Sequence, residues 1–123
     1  MDISELYTVT NTIKSDSETV SAQVELNANH AIFKGHFPLH PVLPGVAVIE
    51  MVKELLESHL RNKLLLQIVT RIKFAKLVNP EEHNTLCFQL NFQAENDLLK
   101  VKINSTFVDG TPVMNGSIVF LKK

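Results

Sequence analysis

The residue types that could carry out chemistry are concentrated between His30 and Glu50. Three of the five histidines lie there, and His36 is a candidate proton acceptor because the unperturbed pKa of histidine is about 6.5. Three prolines within seven residues restrict the backbone, which suits a site whose side chains must be held in place. Gly45 begins a predicted helix, where free N–H groups and the positive dipole end can polarise a carbonyl oxygen. Burial of Glu50 among its apolar neighbours would raise its carboxyl pKa and make it a candidate general acid.

The same residues also have purely structural interpretations. One polar stripe of the predicted helix consists of Glu50, Lys53, Glu54, Glu57 and Arg61. Its i, i+3, i+4, i+7 spacing is that of an ordinary solvated helix face, so periodicity alone favours a solvated Glu50. A histidine beside Phe37 and Pro38 is likewise typical of a loop or core residue. From the residues alone, the catalytic and the structural interpretations both remain open.

Other uses of this segment have less support. Prolines at positions 38, 41 and 44 have the spacing of a polyproline ligand, but the segment is apolar and continues into a helix. His30, His36 and His40 could bind a metal, but the sequence contains neither a His-Glu-x-x-His motif nor a cysteine pair. Cys87, the single cysteine, has no base near it in sequence and is typical of a protein in a reducing compartment.

The elements that must position these residues are strands around one helix. The helix is predicted from about Gly45 to Arg61, with Pro44 as its entry residue. Apolar and polar residues alternate in the segments 20–26, 64–74, 86–92 and 101–107, and a weaker strand spans about residues 9–13. In segment 64–74 the shared apolar parity is that of Leu64, Leu66, Ile68, Ile72 and Phe74. Asp109-Gly110 predicts a hairpin turn into a last strand.

Clean alternation is typical of antiparallel strands with one buried face, and a single long helix must cover that face. The sequence therefore predicts an α+β fold, with an antiparallel sheet of five or six strands and one helix. A length of 123 residues, 45% of them hydrophobic, predicts a single globular domain over residues 1–123.

Charge and hydropathy exclude further classes. A net charge of −1 offers no electrostatic reason to bind nucleic acid or an anionic membrane. The longest apolar runs are four residues, so membrane insertion is not expected. The first residues lack a basic region followed by an apolar stretch, so we expect no secretory signal and a cytoplasmic location.

The segment 35–50 resembles the active-site segment of the β-hydroxyacyl-acyl carrier protein dehydratases of bacterial fatty acid synthesis (FabZ-like). The matching residues are His36-Phe37-Pro38, Pro41-Val42, Pro44-Gly45-Val46 and Glu50, fourteen positions after His36. A second segment, Ile72 to Pro80, is similar to the family's third strand and its Val-x-Pro turn. This resemblance implies the hot-dog fold, in which an antiparallel sheet wraps around one central helix.

Carried over residue by residue, the resemblance assigns the catalytic histidine to His36 and the catalytic carboxylate to Glu50. The backbone N–H that binds the thioester carbonyl falls on Gly45. Further substrate-binding candidates are Phe37, Val46 and Glu54. The implied reaction removes water from a (3R)-hydroxyacyl-acyl carrier protein and yields a trans-2-enoyl product, with no metal or organic cofactor. Family sites combine a histidine and a carboxylate from two subunits, which implies a homodimer or an assembly of dimers.

Three positions depart from the family's usual pattern: Leu39 stands for Gly, Glu54 for Gln, and Pro80-Glu81-Glu82 for Pro-Gly-Asp. A charge on Glu54, one turn from Glu50, could raise the pKa of Glu50 or could break a hydrogen bond that orients it. The departures indicate a divergent member. Two alternative functions therefore stay open: a hot-dog acyl-thioesterase, and a non-catalytic dehydratase-like subunit that binds acyl chains or completes a heterodimer. Candidate contacts for an acidic carrier protein are Lys73 and Lys76.

Overall fold

A computed structural model describes residues 2–34 and 41–123 of the chain. In chain order, its elements are β1 (Tyr7–Ser15), β2 (Thr19–Leu26), a short 3₁₀ helix (Ala31–Phe33), α1 (Gly45–Leu60), β3 (Leu64–Phe74), β4 (Thr85–Glu95), β5 (Leu98–Thr106) and β6 (Pro112–Lys122). The predicted α+β architecture, with six strands and one α-helix in the described ranges, is therefore confirmed.

The strands form one antiparallel sheet in the order β1-β2-β4-β5-β6-β3. The connection through α1 carries the chain from β2 to the opposite edge, where β3 pairs with β6. The chain then returns, so that β4 pairs with β2. As a result β1 and β3 form the two edges of the described sheet.

Apolar and polar residues alternate along the central strands, and the apolar face lies in the core, as predicted. Residues Val20, Ala22, Val24 and Leu26 of β2 are buried, and so are Leu86, Phe88, Leu90 and Phe92 of β4. The buried helix residues are Ala47, Val48, Met51, Val52, Leu55 and Leu56, and they belong to the same core cluster. Burying this apolar surface is the main term that stabilises the sheet on the helix.

The predicted buried face of β3 is wrong. Leu64 is buried, but Leu66, Ile68 and Phe74 are exposed, while Ile72 is half-buried. Two register shifts interrupt the pairing of β3 with β6, and the second edge of β3 has no strand beside it in the described chain. Between Leu65 and Arg71 the side chains of both parities are exposed, so no described residue covers either face of this part of the strand and its apolar parity does not mark a buried face.

The helix is anchored at its C-terminal end. Nε2 of His59 donates to the backbone oxygen of Asp16 at 2.7 Å, and its Nδ1 lies 2.8 Å from the Ser15 hydroxyl. The helix ends one residue earlier than predicted, because Arg61 adopts a left-handed conformation (φ 54°) as its C-cap. No described helix is long and apolar enough to cross a membrane.

Candidate functional site

The site is built on the first turn of α1, which begins at Gly45 as predicted. Pro44 is the N-cap residue with an extended conformation, and it offers no side-chain acceptor to the helix. Its carbonyl accepts from the amides of Ala47 and Val48, whereas the amides of Gly45 and Val46 have no acceptor among the described residues. Two N–H donors therefore remain at the positive end of the helix dipole, where they can bind a carbonyl oxygen or an oxyanion.

The segment after β3 holds this helix start in place. The amide of Leu43 donates to the carbonyl of Val78 at 2.8 Å, which ties the entry to α1 to the segment that follows β3. The ring of Phe74, the last residue of β3, lies over Gly45. A Cβ atom on Gly45 would lie 3.1 Å from the nearest ring carbon, so a glycine suits this close approach.

An apolar groove opens beside these two amides. It has a volume of about 500 Å³, and its lining residues are Val42, Leu43, Pro44, Gly45, Val46, Phe74, Lys76, Leu77 and Val78. Three of its side chains are largely exposed: Val46 (56%), Phe74 (42%) and Leu77 (75%). Exposed apolar surface around polar donors is what an acyl chain or a partner protein would cover.

The two carboxylates named from the sequence lie further along α1. Glu50 is in the second turn and is half-buried, and Glu54 is exposed one turn later. The Glu54 carboxylate accepts a hydrogen bond from the hydroxyl of Tyr7, with 2.8 Å between Oη and Oε1. In the single chain Glu50 is partly open to solvent, as expected for the first residue of a polar stripe. Its full burial depends on a partner and stays a prediction.

His36, Phe37 and Leu39 lie outside the described residues, so their predicted placement near Glu50 stays a prediction. The chain that leads to them is anchored by His30. Nδ1 of His30 accepts from the amide of Ile32 at 3.0 Å, and Nε2 donates to the carbonyl of Ser4 at 2.9 Å. Both ring nitrogens are thus engaged with the backbone.

The metal interpretation gains no support from the described residues. His30 uses both ring nitrogens for hydrogen bonds, and His40 lies outside the described ranges. Within residues 2–34 and 41–123, no group of three or more His, Cys, Asp or Glu side chains is placed to hold a metal ion.

Sequence reasoning missed Tyr7 and misjudged Phe74. Tyr7 lies before the strand predicted from about residue 9 and 47 positions from Glu54, and no local pattern connects the two. Phe74 was assigned to a buried strand face, whereas its ring covers the helix start and one side of the groove. Only the tertiary arrangement of β1 and β3 around α1 reveals these contacts.

Comparison with solved structures identifies the fold. One chain of "The Dehydratase Heterocomplex ApeI:P from Xenorhabdus doucetiae" matches with a TM-score of 0.76 and 24% identity, over 93% of this chain and 96% of that one. A hypothetical thioesterase with coenzyme A from Streptococcus pneumoniae TIGR4 matches with a TM-score of 0.71 and 11% identity, over 99% and 91% of the two chains. At these identities the likeness concerns the fold alone, and that fold is the predicted hot-dog fold.

Sequence comparison identifies the family. A family model described as "ApeI-like: ApeI dehydratase" matches residues 12–116, and the chain therefore belongs to the ApeI-like dehydratase family. A 3-hydroxyacyl-[acyl-carrier-protein] dehydratase FabZ of Oenococcus oeni is 29% identical over 117 residues, which cover 86% of this chain and 80% of that protein. The FabZ of Wolbachia pipientis wMel is 34% identical over 84 residues, which cover 63% of this chain but only 57% of that protein. The predicted resemblance to FabZ-like dehydratases is thus confirmed.

Proposed function

We propose that this chain dehydrates (3R)-hydroxyacyl thioesters carried by acyl carrier protein to trans-2-enoyl thioesters, in fatty acid or related acyl-chain synthesis. Residues 1–123 act as a single hot-dog domain in the cytoplasm and need no cofactor. The observation that carries the proposal is the pair of amides at Gly45 and Val46, which have no acceptor among the described residues and open onto an apolar groove one turn before Glu50. The FabZ relatives and the ApeI-like family match support the same reaction class.

The three roles follow from the chemistry of β-elimination. The substrate carbonyl binds the Gly45 amide, and the helix dipole stabilises the negative charge that develops on its oxygen. His36 takes a proton from C2, and the resulting enolate-like electron pair forms the C2–C3 double bond. Protonated Glu50 donates its proton to the C3 hydroxyl, which leaves as water. One proton is taken and one is returned, so the reaction needs no further reactant.

A second copy of the chain completes the site in this proposal. The resemblance assigns His36 and Glu50 of one site to different subunits, and a partner on the polar stripe would bury Glu50. The edge of β3 is exposed and apolar, with Ile68 at 54% exposure, and this supports an interface between two copies at β3. Lys76 on the rim of the groove and the exposed Lys73 are candidate contacts for an acidic carrier protein.

The test is turnover of 3-hydroxyacyl-acyl carrier protein by the purified protein, followed by mass spectrometry. We expect loss of one water from the thioester. Substitutions His36→Ala and Glu50→Gln should each lower kcat about 10²- to 10⁴-fold, because each removes one proton-transfer group.

Two matched variants control for unspecific damage. His40→Ala changes a second histidine of the same segment, and Glu82→Gln changes an exposed carboxylate in the turn after β3. Both should retain wild-type turnover. Release of free acid in place of water would assign the protein to the thioesterases. No reaction with short, long or unsaturated chains would contradict a stand-alone enzyme and point to a non-catalytic subunit of a heterodimer.

A further inference from the structure

One aromatic ring forms the wall of the apolar groove at the start of the helix. Phe74 is the last residue of β3 and pairs with Met114 of β6. The next amide, that of Ala75, donates to the carbonyl of Val113 at 2.8 Å, so β6 holds the backbone around Phe74. The ring lies over Gly45, where Cε2 and Cζ would be 3.1 and 3.2 Å from an added Cβ atom. The end of the strand therefore fixes this ring against the helix start.

Part of the ring is open to the groove. Phe74 is 42% exposed, and it lines the groove of about 500 Å³ together with Val46 and Leu77, which are 56% and 75% exposed. Exposed apolar surface at a concave site is what an apolar ligand covers. The ring of Phe74 therefore borders the helix backbone at Gly45 and also borders whatever occupies the groove.

The ring lies close to the amide that the proposed reaction uses. A Cβ atom is about 2.5 Å from the amide nitrogen of its own residue, so Cε2 of Phe74 is no more than about 6 Å from the nitrogen of Gly45. An oxygen that accepts from this amide would lie about 2.9 Å from the nitrogen. Since Gly45 and Phe74 both line the groove, a thioester carbonyl bound at this amide would lie beside the ring.

Only one side of a bound thioester carbonyl differs between substrates. The sulfur belongs to the carrier, whereas C2 of the acyl chain carries either two hydrogens or one hydrogen and a branch. A 3-hydroxyacyl chain with a methyl group at C2 still has one hydrogen there, so the same elimination of water is chemically possible. Room for the methyl group then decides turnover, and an enzyme pocket distinguishes ligands that differ by one methylene about 10- to 200-fold.

We propose that Phe74 is a specificity-determining residue: its ring sets the width of the groove beside the thioester and selects acyl chains that are unbranched at C2. This inference rests on the proposed function and narrows its substrate class. A smaller side chain at position 74 leaves the Gly45 amide in place and widens the groove next to it.

The experiment compares kcat/KM for two carrier-bound substrates, a straight 3-hydroxyacyl chain and its 2-methyl analogue supplied as both C2 epimers. The wild type should prefer the straight chain about 10- to 200-fold. Phe74→Ala should reduce this preference to less than about threefold, because the methyl group can occupy the space of the ring. Since Phe74 is 42% exposed, its truncation should leave the fold intact, which circular dichroism checks.

Two matched variants separate the ring from the rest of the apolar surface. Leu77→Ala shortens another exposed side chain of the same groove, and it should retain the wild-type preference between the two substrates even if both are bound less tightly. Val108→Ala changes an exposed apolar residue between β5 and β6, outside the groove, and it should retain both wild-type values.

A substitution at Gly45 moves the ring in the opposite sense. Gly45→Ala retains the amide, but its Cβ atom requires the ring to shift by a few tenths of an ångström. For the straight chain, kcat/KM should therefore fall about two- to tenfold. In the Phe74→Ala background the added Cβ atom meets no ring, so Gly45→Ala should cost no further activity. An equal loss in both backgrounds would show that the methyl group of Ala blocks the site by itself, and would overturn the role of the ring.

The remaining outcomes distinguish this inference from the proposed function. Dehydration of the straight chain, with the same preference in Phe74→Ala as in the wild type or with no preference in the wild type, would overturn the inference while the proposed function stands. If no substrate loses water, the proposed function fails, and calorimetric binding of saturated straight and 2-methyl acyl thioesters of the carrier still tests the ring. A preference in binding that Phe74→Ala removes would support the role of Phe74 in setting the width of the groove, and equal binding of both thioesters by the wild type would overturn it.

Discussion

The imidazole of His30, six positions before the proposed base in the sequence, has two backbone partners, which makes it a structural residue. Its Nδ1 caps the 3₁₀ helix at Ile32, and its Nε2 ties this turn to Ser4. We expect His30→Ala to lower the free energy of unfolding by about 1–2 kcal/mol, because a cap and a second hydrogen bond are both lost. Urea denaturation followed by circular dichroism measures the difference.

A conservative variant divides that loss into its two parts. His30→Asn retains a short side chain that can cap Ile32 but is too short to replace the bond to Ser4. It should therefore recover part of the stability that His30→Ala loses. An unchanged unfolding free energy in His30→Ala would show that neither hydrogen bond matters in solution.

Single residues of the site were predictable where their signal is local. Gly45 follows a proline at the start of an apolar helix, and Glu50 follows at a fixed spacing, so both positions could be read along the chain. The contact of Tyr7 with Glu54 joins two segments that only the folded sheet brings together. Neither periodicity nor spacing contains that information.

Elements were predictable where both neighbours of a strand belong to the same chain. The central strands β2, β4 and β5 have one buried face, so apolar and polar residues alternate regularly along them. This alternation predicted both the strands and their buried faces correctly. Strand β3 has apolar residues on both parities and two register shifts, and it occupies an edge. Its pattern reflects a surface that the single chain leaves uncovered, which is why the predicted buried face failed.

The pairing of β3 with β6 depends on Gly116. A Cβ atom at this position would lie 2.6 Å from Cδ1 of Ile72 and 2.7 Å from the backbone oxygen of Arg71. The backbone cannot move away without breaking the ladder, so Gly116→Ala should lower the free energy of unfolding by about 2–3 kcal/mol. Thermal or urea denaturation measures this loss.

The neighbouring position provides the control. Asn115 is exposed on the same strand, so Asn115→Ala should change stability by less than about 0.5 kcal/mol. If Gly116→Ala proves as stable as Asn115→Ala, then β3 can shift away from β6 at no cost. The close contact at Gly116 would then not contribute to the free energy of unfolding.

At the scale of the whole molecule, the two edges of the sheet differ in chemistry. The exposed large hydrophobic residues of β1 are Val9 and Ile13, and its other residues are mostly polar. Strand β3 exposes Leu65, Leu66, Ile68, Val69 and Phe74 over eleven residues. A long apolar edge with free N–H and C=O groups favours pairing with another strand more than a mostly polar edge does. The proposed second copy of the chain is therefore expected to pair at β3.

A shared site has a consequence that one inactive variant cannot reveal. If His36 of one subunit works with Glu50 of the other, a mixed dimer of His36→Ala and Glu50→Gln chains contains one intact site and one doubly inactive site. Co-expression with two different tags and purification through both should give about half of the wild-type kcat per dimer, although each variant alone is inactive. Adding Ile68→Lys to both chains should prevent recovery of mixed dimers, because it charges the β3 edge, whereas Ile13→Lys on β1 should not. Mixed dimers without activity would place both residues of a site in one chain, and the exposed edge of β3 would then serve assembly alone.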